Sequence, residues 1–307
     1  MNILHMKYAV EVARLGSLNK AADALLIAQP NISRSIKELE ADLGITMFNR
    51  SAKGMVLTPA GEEFIDYAQG ILKQIEQVEG LYKQGSQRKR TFSISVPRAG
   101  YISAAMAAFS KHLGDEAVEI FYKETNAKRT IQNVLSGDYK LGIIRYAENY
   151  DRDFKSLLEK KGLSYEMISE FSYVLIMHRD SPLSQKKEIT LDDLSSYIEI
   201  AHADPYVPTL SDSKVFKQEH PDTIRRRIFV FERASRFDLL CENPQTFMWI
   251  SPVSKKVLDR YGLVQRSCRE NKKIYKDILI YQNGYKLTAL DKKFIAALCD
   301  AKRNHLS

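Results

Sequence analysis

The amino-acid sequence predicts an α + α/β chain: a winged helix-turn-helix and a long linker helix at the N-terminus, then a two-lobed α/β domain. Three observations predict it. Residues 16–61 read as helix, turn, helix and wing. Residues 59–84 carry one apolar stripe at helical spacing, and from residue 91 short β-rich runs alternate with helical patterns. At 307 residues the chain is long enough for two or three domains with cores of their own.

The first helix is set by Ile3, Met6, Tyr8, Ala9, Val12, Ala13 and Leu15, and Gly16 ends it. Ser17 is an N-cap for the second helix, its hydroxyl accepting from free backbone N–H groups. There Ala21, Ala22 and Ala24 permit close helix approach, while Leu18, Leu25 and Leu26 supply apolar contacts. Ile27–Gln29 form the turn, and Pro30 fits the first position of the third helix, where its missing N–H costs nothing. Ile32, Ile36 and Leu39 face inward. Gln29, Asn31, Ser33, Arg34 and Lys37 share the other side. Ser and Asn reach base edges or phosphates, and Arg pairs bidentately with guanine, so a helix of this kind behind a helix and a turn is suited to a DNA major groove.

Gly44 breaks the third helix. Met47–Phe48, a turn-rich tip at Asn49–Gly54 and Met55–Leu57 then form the wing, with Arg50 and Lys53 placed to meet phosphates. Thr58 caps and Pro59 opens the linker helix, which runs to about Gln84. Its stripe of Phe64, Ala68, Ile71, Leu72, Ile75, Val78 and Leu81 exceeds what so small a domain covers and predicts pairing with a second copy.

Residues 84–90, QGSQRKR, read as a hinge. Beyond them strands are expected at 91–96, 118–122, 141–144, 166–169, 173–177, 191–194, 198–201, 227–231, 247–250 and 278–281, and helices at 102–112, 126–136 and 289–301. Such alternation predicts α/β lobes with largely parallel sheets.

The chain holds 46 Lys and Arg against 38 Asp and Glu, a net charge of +8 that favours anionic partners. Residues 1–58 hold seven of the basic and five of the acidic residues, so the excess there is only +2. No run approaches the roughly 20 apolar residues of a membrane span, and no secretory signal opens the chain, so a cytoplasmic protein is expected. Cys241, Cys268 and Cys299 are widely spaced, which predicts reduced thiols and no zinc site. An enzyme is not expected: the sequence has no G-x-S-x-G, H-E-x-x-H, G-x-G-x-x-G or P-loop motif, and its six histidines are scattered.

The segments GSLNKAADAL at 16–25, QPNISRSIKELEADLG at 29–44 and MFNRSAKGMVLTPAGEEF at 47–64 resemble the winged helix-turn-helix and linker helix of LysR-type transcriptional regulators. The resemblance is close over about the first 85 residues and looser beyond. It implies a sequence-specific regulator whose recognition helix presents Gln29, Pro30, Asn31, Ser33, Arg34 and Lys37, with Arg50 and Lys53 in the wing. Ala28 departs from the small hydroxyl residue common before the Gln. The implied layout is a DNA-binding domain at 1–58, a dimerisation helix and hinge at 59–90, and an effector domain at 91–301. In the family the first lobe takes back the C-terminal segment. That places lobe I at 91–160 and 266–301 and lobe II at 161–265, with crossings near Asp151–Leu163 and Gly262–Asn271.

Two such lobes resemble periplasmic solute-binding proteins, with a small-molecule effector expected between them. Ligands of open α/β sheets collect at loops beyond the carboxyl ends of strands. The effector-site expectations are therefore Arg98, Gly100, Tyr101, Thr125, Asn126, His202, Arg233 and Ser235, and the arginines at 98, 233 and 236 suggest a carboxylate or phosphate. The segment CENPQTFMWIS at 241–251 departs from the family's Gly-rich turn, and its Trp249 is expected in the core. No cofactor or metal is expected. The partners implied are double-stranded DNA, a second copy or four in all, and RNA polymerase. A solute-binding module without DNA function leaves the first 85 residues unused, and a nonspecific DNA binder predicts a more basic N-terminal domain.

Overall fold

The computed structural model describes residues 1–51, 54–83, 90–115, 117–231 and 234–306. Its contacts divide the chain into two units, Met1–Arg88 with Leu135–Asp138, and Lys89–Val134 with Tyr139–Ser307.

In the first unit α1 (Ile3–Leu15) starts on Asn2, whose side chain accepts from the Leu4 N–H at 2.8 Å, and ends on Gly16 at φ +63°. Helix α2 (Leu18–Leu25) is capped by Ser17, and α3 (Gln29–Leu43) begins on Ala28 with no side-chain cap, as the departure there implies. Ala9, Val12, Ala21, Ile32, Leu39 and Met47 are fully buried where the three helices meet. The wing is an antiparallel hairpin of β1 (Phe48–Ser51) and β2 (Gly54–Leu57), followed by α4 (Pro59–Lys83).

Contacts to backbone groups set the wing. Glu40 of α3 accepts from the N–H groups of Met47 and Phe48 at 2.7 and 3.2 Å. The Met55 N–H donates to the Gly16 carbonyl at 2.9 Å. A Cβ on Gly54, whose φ is +110°, would lie 2.4 Å from that same oxygen, so only glycine fits. At the start of α4 the Thr58 hydroxyl accepts from the Gly61 N–H at 2.9 Å and donates to the Thr46 carbonyl at 2.6 Å.

The apolar stripe of α4 divides in two. Met6 and Val10 of α1 pack on Phe64, Ala68 and Leu72, while Ile65 joins the helix-turn-helix core. The first unit therefore covers more of the stripe than its size suggested. Tyr67, Ile71 and Val78 remain exposed at 38%, 39% and 53%, and Ile75 is half-buried. The side chain of Leu81 lies outside the described residues.

The second unit holds two five-stranded sheets. The first contains β3 (Arg90–Val96), β4 (Val118–Glu124), β5 (Leu141–Ala147), β6 (Leu163–Ser172) and β12 (Ile274–Gln282), in the order β4-β3-β5-β12-β6. The second contains β7 (Val174–His178), β8 (Ile198–His202), β9 (Arg226–Val230), β10 (Thr246–Ile250) and β11 (Leu263–Arg266), in the order β11-β7-β10-β8-β9. Helices α5 (Gly100–Ser110), α6 (Ala127–Leu135), α7 (Asp151–Lys160) and α12 (Ala289–Leu306) belong with the first lobe, and α8 (Leu191–Leu194), α9 (Asp212–Glu219), α10 (Ala234–Glu242) and α11 (Lys255–Tyr261) with the second. Residues 191–194, grouped by sequence with the strands, form the short α8.

The sheets are mixed rather than largely parallel. Strand β12 runs antiparallel to β5 and β6, and β7 antiparallel to β10 and β11, because the chain crosses between sheets strand to strand, with no helix to turn it round. The lobe boundaries shift with this. The segment expected to leave the first lobe forms α7 and β6, and β6 pairs with β12 inside the first sheet. The chain leaves at Tyr173, between β6 and β7, and returns through residues 267–273, between β11 and β12. The two crossovers are joined: Asn271 donates to the Tyr173 carbonyl at 2.8 Å, and the Tyr173 and Tyr275 rings stack at 3.9 Å.

A Cβ on Gly61 would fall 2.1 Å from the Met47 carbonyl oxygen, a backbone atom with little room to move. Gly61→Ala is expected to destabilise the first unit by about 1–3 kcal/mol or more, the range of overpacked sites. Thermal unfolding checks it against Gly114→Ala, where the added carbon meets nothing within 4 Å and the cost is the left-handed backbone alone.

Candidate functional site

In the first unit the polar face of α3 is free to meet a ligand. Pro30, Asn31, Arg34 and Lys37 are exposed, and Gln29 and Ser33 are half-buried. Ile32, Ile36 and Leu39 turn inward with Ser35. The Arg34 side chain is 83% exposed and donates from Nε to Glu38 at 3.1 Å, an exposed i,i+4 pair that a phosphate or base can displace at little cost. Arg50 lies in β1, but its side chain falls outside the described residues, as does all of Lys53. Leu26, expected as an apolar contact, is instead 92% exposed at the turn before α3, with φ +55°. Leu25 and Ile27 take the inward positions on either side of it.

In the second unit a cleft of about 360 Å³ opens between the two lobes. The first lobe contributes Pro97–Arg98 beyond β3, Thr125–Asn126 beyond β4, and Arg145 and Tyr146 from β5. The second contributes His202 at the end of β8 and Asp204–Val207 beyond it. The remaining walls mix the aromatic rings of Tyr150, Tyr173, Trp249 and Tyr275 with charged and polar groups, Glu199, Glu219, His220 and Lys273 among them. Trp249 is half-buried, lining the cleft on β10 as well as packing against the second lobe's core. Two contacts bridge the lobes here. Arg98 donates to Asp204 Oδ1 at 3.2 Å, and the Asn126 amide donates to the Asp204 backbone carbonyl at 3.1 Å.

Of the residues expected to line this cleft, Arg98, Thr125, Asn126 and His202 do so. Gly100 and Tyr101 begin α5, and Tyr101 is wholly buried, its hydroxyl donating to Asp277 at 2.6 Å. Tyr101 therefore belongs to the core of the first lobe, not to the cleft. Ser235 is exposed on α10 and is not among the lining residues, Arg236 is buried, and Arg233 lies outside the described residues.

Asp277 and Arg145 escaped the sequence reading, and their partners are 132 residues apart in the chain. Asp277, fully buried on β12, takes a bidentate pair from Arg145 of β5, Nε to Oδ1 at 2.7 Å and NH2 to Oδ2 at 2.6 Å. The Arg145 guanidinium also lies 4.6 Å from the Phe171 ring centre. Burial opposes its charge, but the Asp277 carboxylate prevails and holds its pKa above the ordinary value. Burial, and then the Asp277 charge, push the Tyr101 phenol well up. In the second lobe Glu199 of β8 is paired with Arg227 of β9 at 2.6 Å, yet burial still raises its pKa.

Burial pushes the His202 imidazole down to about 3, and the charges of Arg98 and Arg236 push the same way. A hydrogen bond to the Val230 backbone opposes them. His202 is thus neutral at physiological pH. Among the described residues no group of three or more His, Cys, Asp or Glu is placed to hold a metal ion, and no helix is long and apolar enough to cross a membrane.

Comparisons with known proteins bear on both units. Residues 3–62 match the family described as "Bacterial regulatory helix-turn-helix protein, lysR family". The HTH-type transcriptional regulator AlsR of Bacillus subtilis is 27% identical over 216 residues, covering 68% of this chain and 67% of AlsR. BenM of Acinetobacter baylyi is 28% identical over 202 residues, covering 63% of this chain and 62% of BenM. The chain thus spans about two thirds of these relatives, all of them named as transcriptional regulators. Among solved structures, full-length CbnR in complex with its target DNA matches with a TM-score of 0.56 at 19% identity, covering 98% of this chain and 100% of that one. A full-length OxyR variant from Pseudomonas aeruginosa matches with a TM-score of 0.52 at 16% identity, covering 99% and 98%. At these identities the structural likeness establishes the fold.

The His202 shift sets a pH dependence. Its folded pKa of about 3 lies below the ordinary 6.5, so the unfolded chain binds the proton more readily. The stability linked to His202 is present above pH 6.5 and is lost as pH falls from 6.5 toward 3. His202→Gln is expected to flatten that part of the stability–pH curve, measured by chemical denaturation at a series of pH values.

Proposed function

We propose that the chain is a LysR-type DNA-binding transcriptional regulator, that it reads one operator sequence through α3, and that it responds to a small molecule held in the interlobe cleft. The exposed Asn31, Arg34 and Lys37 on one face of α3 carry this reading, because Asn and Arg have the donor geometry that distinguishes adenine and guanine in the major groove. The wing, with Arg50 and Lys53, contributes phosphate contacts that set register. The excess of only +2 in residues 1–58 argues for reading by contact rather than by bulk charge.

The operator-bound species is a dimer or a dimer of dimers, on an inverted repeat whose half-sites lie about 34–36 Å apart. The exposed Tyr67, Ile71 and Val78 of α4 are the surface offered for that pairing. The effector acts by population shift: it binds one arrangement of the lobes more tightly than another and thereby changes DNA bending or the contact with RNA polymerase. The protein acts in the cytoplasm, and its relatives give no reason to assign it a chemical reaction.

Selection of bound sequences from random duplex DNA, at two salt concentrations, tests this reading. Enrichment of one inverted repeat is expected, and salt-sensitive retention without sequence preference would overturn it. On the selected operator, Arg34→Ala is expected to lose about 1–3 kcal/mol of base discrimination, measured as the ratio of Kd values for matched and mismatched half-sites.

A further inference from the structure

Two hydrogen-bonding atoms of cleft-lining residues are buried without a partner among the described residues: Asp204 Oδ2 and His202 Nδ1. Both are acceptors. The Asp204 carboxylate has given its Oδ1 to Arg98 and keeps Oδ2 unanswered. His202 Nδ1 is likewise without a partner, and with the ring's single proton on Nε2 it is an acceptor. Buried polar atoms in folded proteins are matched by partners, so a ligand of this cleft brings N–H or O–H donors to them.

The opposite wall asks for the opposite group. Arg98 reaches the cleft from the first lobe and makes one hydrogen bond to Asp204 among the described residues, from NH1. A guanidinium has five N–H donors in a fork that matches a carboxylate. Donor and acceptor walls thus lie against each other, joined by the Arg98–Asp204 pair itself. A simple anion satisfies Arg98 and leaves two acceptors bare; a simple amine does the reverse.

We propose that the cleft takes a zwitterion of the α-amino acid class, its carboxylate on the Arg98 fork and its ammonium on Asp204 Oδ2 and His202 Nδ1. This rests on the effector reading above and replaces the simple anion with a doubly charged ligand. The ammonium completes an alternating ring of charge: ligand carboxylate, Arg98, Asp204, ligand ammonium. The side chain lies among Tyr146, Tyr173, Tyr206, Tyr275 and Trp249, which favours an aromatic or large aliphatic group. The cavity of about 360 Å³ is near the small end of ligand pockets, in keeping with a single amino acid.

Trp249, the one tryptophan of the chain and a wall of the cleft, supplies the readout. The full chain is titrated with L-phenylalanine, L-tyrosine, L-leucine and L-methionine, following its fluorescence. The tightest binder is then compared with its matched des-amino acid and decarboxylated amine, 3-phenylpropanoate and phenethylamine in the case of phenylalanine. Saturable binding of at least one amino acid is expected, with both matched analogues weaker by about tenfold or more, since each leaves one wall unpaired. Asp204→Asn is expected to weaken the amino acid and to spare the des-amino acid. Absence of binding by all four amino acids overturns the proposal. So does equal binding of the amino acid and its des-amino analogue, in which case the cleft is an anion site and the effector reading stands. The effector reading itself fails separately, if carboxylates, sugar phosphates and amino acids alike leave the operator complex unchanged.

Discussion

The second unit depends on a carboxylate placed where water does not reach. Asp277 sits in the middle of β12 and binds Arg145 of β5 through both oxygens and Tyr101 of α5 through one. A buried ion pair adds little net stability over apolar packing, but removing one partner strands a charge at a cost of about 3–5 kcal/mol. Its value is in specificity. The pair fixes β12 beside β5 in the first sheet, and thereby fixes where the returning chain enters. Arg145 then lies over Phe171 beside the crossover at Tyr173, where the stacked Tyr173 and Tyr275 rings and Asn271 join the two crossovers. The cleft exists because the chain passes between the lobes at these two adjoining points.

The first unit rests on a different constraint, close backbone approach. Gly54 and Gly61 lie against the carbonyls of Gly16 and Met47, distances at which no side chain fits. Wing and linker helix are thereby held close by main-chain contacts, the Glu40 side chain ties α3 to the wing from its inner side, and the side chains on the outer face of α3 are left for recognition. The one local rule broken there is Leu26, a left-handed residue with a large apolar side chain in solvent. Asn or Gly at that position suits the backbone better.

Local signals made the first unit legible in the sequence. Gly16, Ser17, Gly44 and Thr58 each mark an element end through chemistry that acts within four residues, and those ends fall where these residues placed them, while α3 begins at Gln29, one residue before Pro30. The lobe boundary was not legible, because the alternation of Leu163–Ser172 suits either sheet and only its pairing with β12, more than 100 residues later, decides. Tyr101 was misread for the same reason. Its neighbours in sequence form a loop of the kind ligands favour, while its hydroxyl partner is 176 residues away. Arg98 and His202 were legible because strand ends point to clefts whatever the pairing, but Asp204, which gives them their meaning, carries no local sign.

Within each unit, then, one surface is shaped for contact: a helix face with Asn31, Arg34 and Lys37, and a cleft bridged by Arg98 and Asp204. The central claim is that the state of the cleft governs how the helix face is used. Footprinting of the selected operator tests it most directly, with the unaltered chain compared with the double variant Arg98→Ala, Asp204→Ala. That variant removes the interlobe ion pair without leaving either charge buried alone. The account predicts a changed footprint or a changed operator affinity from substitutions that lie outside the DNA-binding unit. Identical footprints and affinities, with the cleft bridge gone, would contradict it.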